Sequence, residues 1–358
     1  MDWIKTLSEL CSIDAPSGFE ERAHGYLTRA LEPYTDDIKT DALGNLIAVR
    51  SGGSPDAPRL LLDAHIDEIG FVVTGYADDG FLRFDELGGQ DARLLPAAEV
   101  KILTDPPIFG VIDTIPPHLQ GGGDAGAASK IGDLYIDAGL TPATAESTVP
   151  IGTPLVILSE PTALGEHQFS AKALDNRASA AIILGALELL GDTKLGIDLY
   201  ILFSSQEEVG KRGARTAAYA SDARLALIYD CDFARQPDIM PDRGRITGGG
   251  VVIARGPNMD KALTQLAVDT ATGRGIAHQI SVEPGGDSGT NAHPVQITRT
   301  GVRTALLGVP VKYMHTPVET LDIRDLESAA RLTAEVIKVL GGQGQNNANG
   351  SNKENDNA

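Results

Sequence analysis

The chain has 358 residues, 42% of them hydrophobic, which is enough for one large domain or two and for a sizeable core. Its formal net charge of −19 at pH 7 argues against general nucleic-acid binding, because phosphate groups are bound by clustered Lys and Arg. We expect a soluble cytoplasmic protein, because Cys11 and Cys231 form no disulfide framework, no apolar run approaches the roughly 20 residues of a membrane span, and the N-terminus carries no secretory pattern.

The first predicted elements are two amphipathic helices, at residues 2–10 and 20–31, separated by a Pro-Ser-Gly turn. Short apolar runs then alternate with helical patterns. The apolar runs occupy residues 60–62, 199–203, 225–229 and 302–308, and the helical patterns occupy residues 177–190, 261–273 and 323–340. Runs that are apolar on both faces are typical of strands buried in a parallel sheet. The alternation therefore predicts an α/β fold with a mostly parallel central sheet flanked by helices.

Residues 68–167 have a different pattern, with many short apolar runs, frequent Gly and Pro, and no long helical pattern. They predict an inserted small β-domain, so the catalytic domain would be discontinuous, formed by residues 1–67 and 168–340. The glycines at residues 121–123 predict a mobile loop and not a P-loop, because GxxxxGK[ST] is absent. Residues 341–358 are polar and predict a disordered tail.

Ligand-type side chains follow the predicted strands at their carboxyl ends, where sites form in open α/β sheets. In chain order these are His65 and Asp67, then Glu207 and Glu208, then Asp230 and Asp232, and finally His315, while Asp175 precedes a predicted helix. Imidazole and carboxylate groups together suit Zn²⁺, Co²⁺ or Mn²⁺. One bridging carboxylate, with a His and a carboxylate for each ion, would make a two-metal site that activates a water. One of the adjacent glutamates could then stay off the metal and accept the proton of that water.

Each of these residues also has a purely structural explanation when it is taken alone. Asp175 could cap the helix that follows it, His65 could be a core or surface histidine, the two glutamates could be a solvated loop pair, and Asp230 could be a turn residue. Their occurrence together at successive strand ends favours a site over four separate structural roles.

A serine-protease site is a further interpretation, because Gly286-Asp287-Ser288-Gly289 resembles a nucleophile motif and His65 precedes it. The α/β pattern and the residues after this motif do not match that interpretation, so we favour the metal site.

Several motifs resemble those of the M42 aminopeptidases, which are related to the wider binuclear zinc exopeptidases. The resemblance covers nearly the whole chain before the tail. In chain order the motifs are Ala15-Pro16-Ser17-Gly18-Phe19-Glu20, His65-Ile66-Asp67-Glu68-Ile69-Gly70-Phe71, Lys172-Ala173-Leu174-Asp175-Asn176-Arg177, Gln206-Glu207-Glu208-Val209-Gly210 and Tyr313-Met314-His315-Thr316-Pro317-Val318-Glu319.

The resemblance implies a two-metal aminopeptidase that hydrolyses N-terminal residues from peptides. It implies that His65 and Asp230 bind one ion, that Glu208 and His315 bind the other, and that Asp175 bridges them. It implies further that Glu207 is the general base and that Asp67 orients His65. Family members also form homo-oligomers, often dodecamers, through the inserted β-domain.

Three positions differ from the family pattern. Asn291 stands where the family often has Asp, Lys312 where Arg is common, and Asp232 where a neutral residue is usual. These changes leave the predicted metal ligands complete and leave the substrate preference open.

Two alternative functions also fit this sequence. One is another hydrolase on the same scaffold, such as a metal-dependent deacylase or an endoglucanase, although a glycosidase normally uses two carboxylates and no metal. The other is a non-catalytic, peptide-binding assembly, which the complete ligand set disfavours.

Overall fold

The computed structural model describes five stretches of the chain, residues 1–115, 130–237, 239–240, 243–286 and 289–342. The predicted mobile loop at residues 121–123, Ser288 of the serine motif and residues 343–358 of the predicted tail lie outside the described residues.

The described helices and strands follow one another in an order that alternates between the two types over much of the chain. They are α1 (Trp3–Cys11), α2 (Glu21–Leu31), β1 (Asp37–Thr40), β2 (Leu46–Arg50), β3 (Arg59–His65), β4 (Gly70–Tyr76), β5 (Leu82–Leu87), β6 (Glu99–Ile102), β7 (Ile108–Ile112), β8 (Ile136–Asp137), α3 (Pro142–Thr148), β9 (Pro154–Ile157), β10 (Thr162–Leu164), β11 (Gln168–Ala171), α4 (Leu174–Leu190), β12 (Asp198–Ser204), α5 (Arg212–Ser221), β13 (Leu225–Phe233), β14 (Val251–Arg255), α6 (Lys261–Gly273), β15 (His278–Val282), α7 (Ala292–Gln296), β16 (Arg303–Val311), β17 (Glu319–Asp322) and α8 (Ile323–Leu340).

An eight-stranded sheet in the order β1-β2-β12-β3-β13-β16-β14-β15 forms the centre of the fold. Its middle strands β12, β3, β13 and β16 run parallel, so their carboxyl ends meet at one edge. Antiparallel pairs join β1 to β2, β2 to β12 and β14 to β16. The predicted α/β class with a mostly parallel centre is confirmed. The short β1–β2 hairpin was not predicted.

Helices cover both faces of this sheet. Buried side chains of α1, α4, α6 and α8 share a core with one face, and those of α5 and α7 share a core with the other. This double cover explains why the strands read as continuous apolar runs, since neither face meets water. None of the helices in the described part of the chain is both long and apolar enough to cross a membrane.

Residues between β3 and β11 form a closed barrel of strands β4, β5, β8, β7, β6 and β9. The barrel has its own apolar core, in which the rings of Phe71 and Phe84 pack edge to face at 5.3 Å. A β-rich structure was predicted for this segment, whereas the short helix α3 was not. The division of the chain into two domains stays a prediction.

A chain of ion pairs, half-buried at Lys101 and Asp14 and buried at Lys172 and Glu68, joins the barrel to the rest of the fold. The Lys101 ammonium of β6 lies 2.6 Å from one Asp14 oxygen, and the Lys172 ammonium lies 3.3 Å from the other. Lys172 also lies 2.6 Å from Glu68, which lies two residues before β4. Since each charge has an opposite partner, Lys172 and Glu68 can remain buried, and removing one of them would leave the other as an uncompensated buried charge.

Two helix glycines in different surroundings, Gly185 in α4 and Gly25 in α2, should respond oppositely to substitution by alanine. A Cβ at buried Gly185 would come within 2.6 Å of Trp3, so Gly185→Ala should destabilise the protein by about 1–3 kcal/mol through overpacking. Gly25 is exposed in α2, where an added Cβ meets only the Arg29 side chain at 3.6 Å, so Gly25→Ala should stabilise by about 0.5–1 kcal/mol. Denaturant midpoints of the two variants test this, and equal shifts for both would contradict the packing described.

Candidate metal centre and active site

The carboxyl edge of the central sheet brings together all of the predicted ligand residues. His65 is the last residue of β3, Asp230 lies on β13, and Glu207 and Glu208 lie in the turn after β12. His315 follows β16, and Asp175 lies in the non-helical start of α4. The sequence placed Asp230 after its strand, but β13 continues to Phe233, because it pairs with β16 as far as Val311.

Two imidazoles face three carboxylates in this cluster. His65 Nε2 lies 3.3 Å from Asp175 Oδ1 and 3.8 Å from Asp230 Oδ1. His315 Nε2 lies 3.5 Å from Asp175 Oδ2 and 3.3 Å from Glu208 Oε1. Two ligand atoms about 2.1 Å from one ion in tetrahedral geometry are about 3.4 Å apart. The observed separations therefore suit shared coordination of a metal ion.

The opposite ring nitrogens fix how these imidazoles are oriented. His65 Nδ1 lies 3.2 Å from the Asp67 carbonyl oxygen, and His315 Nδ1 lies 3.0 Å from the Gly89 carbonyl oxygen. Since a carbonyl only accepts, each Nδ1 carries the proton and donates it. In a neutral ring with the proton on Nδ1, the lone pair of Nε2 points at the carboxylate oxygens. Because lone pairs repel one another, a proton or a metal ion must lie between Nε2 and those oxygens.

The potential ligand atoms form overlapping groups with separations of at most 4.8 Å. The first contains His65, Asp175 and Asp230, the second contains Asp175, Glu208 and His315, and the third contains His65, Glu207 and Glu208. Asp175 Oδ1 and Glu207 Oε1 are buried without a hydrogen-bond partner. Buried oxygens of this kind are costly unless a cation or proton joins them. The donor set therefore fits divalent metal ions.

The pKa values of these groups reflect burial and close opposite charges. Burial disfavours the charged rings, but the facing carboxylates override it, so the pKa of His65 is raised well above its usual value and that of His315 to about 11. Burial would raise the pKa of Asp175, whereas the two histidines lower it below its usual value. Burial raises the pKa of Glu207 to about 9, an effect that His65 partly offsets.

Asp67 anchors the turn that carries the two glutamates. Its fully buried carboxylate accepts hydrogen bonds from the Glu207 amide at 3.0 Å, the Glu208 amide at 3.1 Å and the Ser17 hydroxyl at 2.6 Å. One oxygen also lies 3.4 Å from His65 Nδ1. Asp67 therefore contacts His65, as predicted, and additionally holds the backbone of both glutamates.

Three supporting groups at the site were not predicted. Glu20 accepts hydrogen bonds from the amides of Gly18 and Gln206 at 2.8 and 2.9 Å, and burial raises its pKa to about 7. Glu319 accepts hydrogen bonds from the amides of Asp175 and His315. The Gly89 carbonyl comes from the segment after β5. Glu20 and Glu319 fall inside the quoted motifs, but a side chain that accepts hydrogen bonds from backbone N–H groups leaves no spacing pattern that would reveal its partners.

The Gly88-Gly89 pair lets the barrel approach the site closely. Gly88 has φ +81°, and a Cβ there would lie 2.7 Å from Ile69 and 3.2 Å from the Glu208 side chain. Only glycine combines that backbone conformation with that approach.

The three residues that differ from the family pattern occupy different surroundings. Asn291 is buried and donates a hydrogen bond to the Ser204 hydroxyl at 2.9 Å. Burial raises the pKa of Asp232, and nearby Arg245 partly offsets this. Lys312 pairs through its backbone with Thr320.

A helix-covered sheet with imidazoles and carboxylates clustered at its carboxyl edge defines the class of α/β metal-dependent hydrolases. The profile of the M42 glutamyl aminopeptidase family matches residues 44–332. The chain belongs to this family, which is metal-dependent, and it is a hydrolase that acts on peptide bonds.

Individual relatives match over nearly the full chain. A lysyl aminopeptidase of Pyrococcus furiosus is 33% identical over 95% of this chain and 98% of its own length. A TET aminopeptidase from a marine sediment thaumarchaeote superposes with a TM-score of 0.88 at 29% identity, covering 94% of this chain and 95% of the other. A TET1 peptidase of Pyrococcus horikoshii gives a TM-score of 0.82 at 32% identity, covering 93% and 98%.

The contacts of Asp67 predict that Asp67→Asn lowers activity about 10–100-fold, because an amide nitrogen would replace an oxygen that accepts a backbone N–H. Ser17→Ala is the control, since it removes one donor and keeps both amide contacts, and its loss should be smaller. Peptide hydrolysis and bound metal per chain would be measured for both. Full activity in Asp67→Asn would show that this carboxylate does not hold the glutamate turn.

Proposed function

We propose that the protein is a two-metal aminopeptidase that removes residues from the N-terminus of peptides. The observation that carries this proposal is that Asp175 belongs to two separate groups of potential ligands, one with His65 and Asp230 and one with Glu208 and His315. A carboxylate with one oxygen facing each group is what a bridging ligand requires. Zn²⁺, Co²⁺ and Mn²⁺ all accept such ligands.

In this proposal His65 and Asp230 would hold one ion, Glu208 and His315 would hold the other, and Asp175 would be shared between them. When bound, such ions polarise the scissile carbonyl, lower the pKa of water and hold the free α-amino group of the substrate. Confinement of that amino group to the site would restrict cleavage to the first peptide bond.

Glu207 acts as the general base. Its Oε1 is buried and accepts no hydrogen bond, so it is free to take a proton from the attacking water. Burial, together with the charges of Asp230, Glu208 and Asp67, raises its pKa to about 9, and cationic charge beside the carboxylate would lower this pKa and favour the ionised form that accepts a proton. Glu207 then passes the proton to the leaving amine, which restores the carboxylate.

We further propose that the chain forms a homo-oligomer, a dodecamer by family resemblance, through the inserted β-domain. Phe109 and Val111 of β7 are 58% and 44% exposed, and such apolar side chains on a barrel surface favour contact with another chain. The Pyrococcus horikoshii relative is described as assembling into a tetrahedron or an octahedral shell.

Both cysteines are free, which supports a cytoplasmic location.

The proposed function is tested by removing metal with a chelator and adding back Zn²⁺, Co²⁺ or Mn²⁺. Hydrolysis of aminoacyl-p-nitroanilides and of short peptides, with free or acetylated N-termini, is then measured. Release of single residues from free N-termini alone, lost on chelation and restored by metal, is expected. Hydrolysis of N-acyl substrates instead would indicate a deacylase, and activity that survives chelation would contradict the metal-dependent mechanism.

Glu207→Gln should reduce turnover by at least about 10³-fold while metal binding is retained, because the amide keeps the shape of the side chain but accepts no proton. Metal per chain and kcat are measured on the same preparation, with Glu166→Gln, an exposed carboxylate, as the control. Loss of metal together with activity in Glu207→Gln would mean that Glu207 is a ligand and not the base.

A further inference from the structure

One buried carboxylate contacts the backbone of two proposed ligand residues. Glu319 is 2% exposed, and its Oε2 accepts a hydrogen bond from the Asp175 amide at 2.9 Å. Its Oε1 accepts one from the His315 amide at 2.7 Å. The two residues are 140 positions apart in the chain, so this side chain is a direct link between distant parts of the site.

We propose that Glu319 is a positioning residue that sets the separation of Asp175 and His315 and thereby the metal affinity of the site. This inference rests on the proposed function, in which Asp175 bridges two ions and His315 binds one of them. It assigns to Glu319 no contact with substrate or metal.

Both backbone segments need such an acceptor. Asp175 lies at the start of α4 with φ −81° and ψ 101°, which is not helical, so the regular helical pattern does not hold it in place. His315 has φ +61°, in the left-handed region that residues other than glycine avoid. Such a conformation persists only where the surroundings fix it, and buried N–H groups need acceptors.

The position of Glu319 is itself fixed by a small sheet. β17, which begins at Glu319, pairs with β11 so that Glu319 lies opposite Ala171. On its other side, Thr320 and Lys312 exchange backbone hydrogen bonds at 2.9 and 3.0 Å. β11 leads into the Asp175 segment, and Lys312 leads into the His315 segment. The carboxylate therefore stands between the two segments that it joins.

Each Glu319 oxygen is already directed at an amide, which favours positioning over ligation. Glu319 also belongs to none of the groups of potential ligand atoms among the described residues. Charge alone does not distinguish it from the ligands, because Asp175 and Glu319 are both buried acids at one site. The distinguishing property is that its contacts are to backbone N–H groups.

Asp325 offers a matched control elsewhere in the fold. Its fully buried carboxylate also accepts two backbone hydrogen bonds, from Gly248 at 2.8 Å and from Gly250 at 2.6 Å. Neither glycine is a proposed ligand. Asp325→Asn and Glu319→Gln therefore make the same chemical change, in which an amide nitrogen faces a backbone N–H, and only the second makes it at the metal site.

The experiment measures Co²⁺ and Zn²⁺ affinity of the full chain by calorimetric titration after chelation, together with the melting temperature of each variant. We expect both variants to melt at lower temperature, and only Glu319→Gln to bind metal about 10–100-fold more weakly. If Glu319→Gln does not fold, Glu319→Asp takes its place, because it keeps the charge but is one methylene too short to reach both amides, and it should show the same loss.

Three results would overturn the inference. They are wild-type metal affinity in the folded Glu319 variant, an equal loss of metal affinity in Asp325→Asn, and no metal binding by the wild-type chain. Only the last would also overturn the two-metal function, so the two failures are distinguishable.

Discussion

The structure depends on the accumulation of carboxylates at one buried edge of the central sheet. Five proposed site residues there are acids, and they are accompanied by two imidazoles. These acids are Asp67, Asp175, Glu207, Glu208 and Asp230. An uncompensated buried charge costs several kcal/mol, so the edge is stable only when protons or cations balance it. The raised pKa values of His65, His315 and Glu207 express this requirement, and the proposed metal ions would satisfy it in a way that also supports hydrolysis.

Two carboxylates at this edge accept hydrogen bonds from the backbone of proposed site residues. Asp67 holds the amides of Glu207 and Glu208, and Glu319 holds those of Asp175 and His315. Backbone N–H groups are weaker partners than cations: those of Asp175 and His315 only partly offset the burial and the Asp175 charge, which raise the pKa of Glu319 well above its usual value. The acids at this edge thus have two roles, and the local donors decide which role each acid takes.

The sequence predicted the ligand cluster because its residues follow buried strands. His65, Glu207 and Asp230 come from three neighbouring parallel strands or the turns after them, so the fold class alone brings them to one edge. Asp175 and His315 were also noted from their positions, before a predicted helix and after a predicted strand, but their individual roles came from motif resemblance. One opens a helix irregularly and the other follows β16 in a left-handed conformation, and neither geometry has a periodic pattern that assigns a role.

The elements that sequence analysis missed are short or locally polar. The β1–β2 hairpin and the three-stranded sheet β10-β11-β17 have strands of three to five residues, too few for a clear alternation. Glu319 nevertheless acts through this small sheet, because β17 directs its side chain at two distant amides. Contacts of this kind depend on tertiary structure and become visible only when both partners are in place.

The barrel takes part in the site as well as in the architecture. The Gly89 carbonyl, on the segment after β5, accepts the Nδ1 proton of His315 and so fixes which nitrogen faces the carboxylates. A cavity beside Asp175, Glu208 and His315 is walled partly by apolar side chains of β4 and β9, Phe71, Val156 and Ile157. The ion pairs of Lys101, Asp14 and Lys172 hold the barrel against this edge. A displacement of the barrel would therefore change both the orientation of His315 and the shape of the cavity wall. The geometry of the ligand cluster at the sheet edge therefore depends on the position of the inserted barrel.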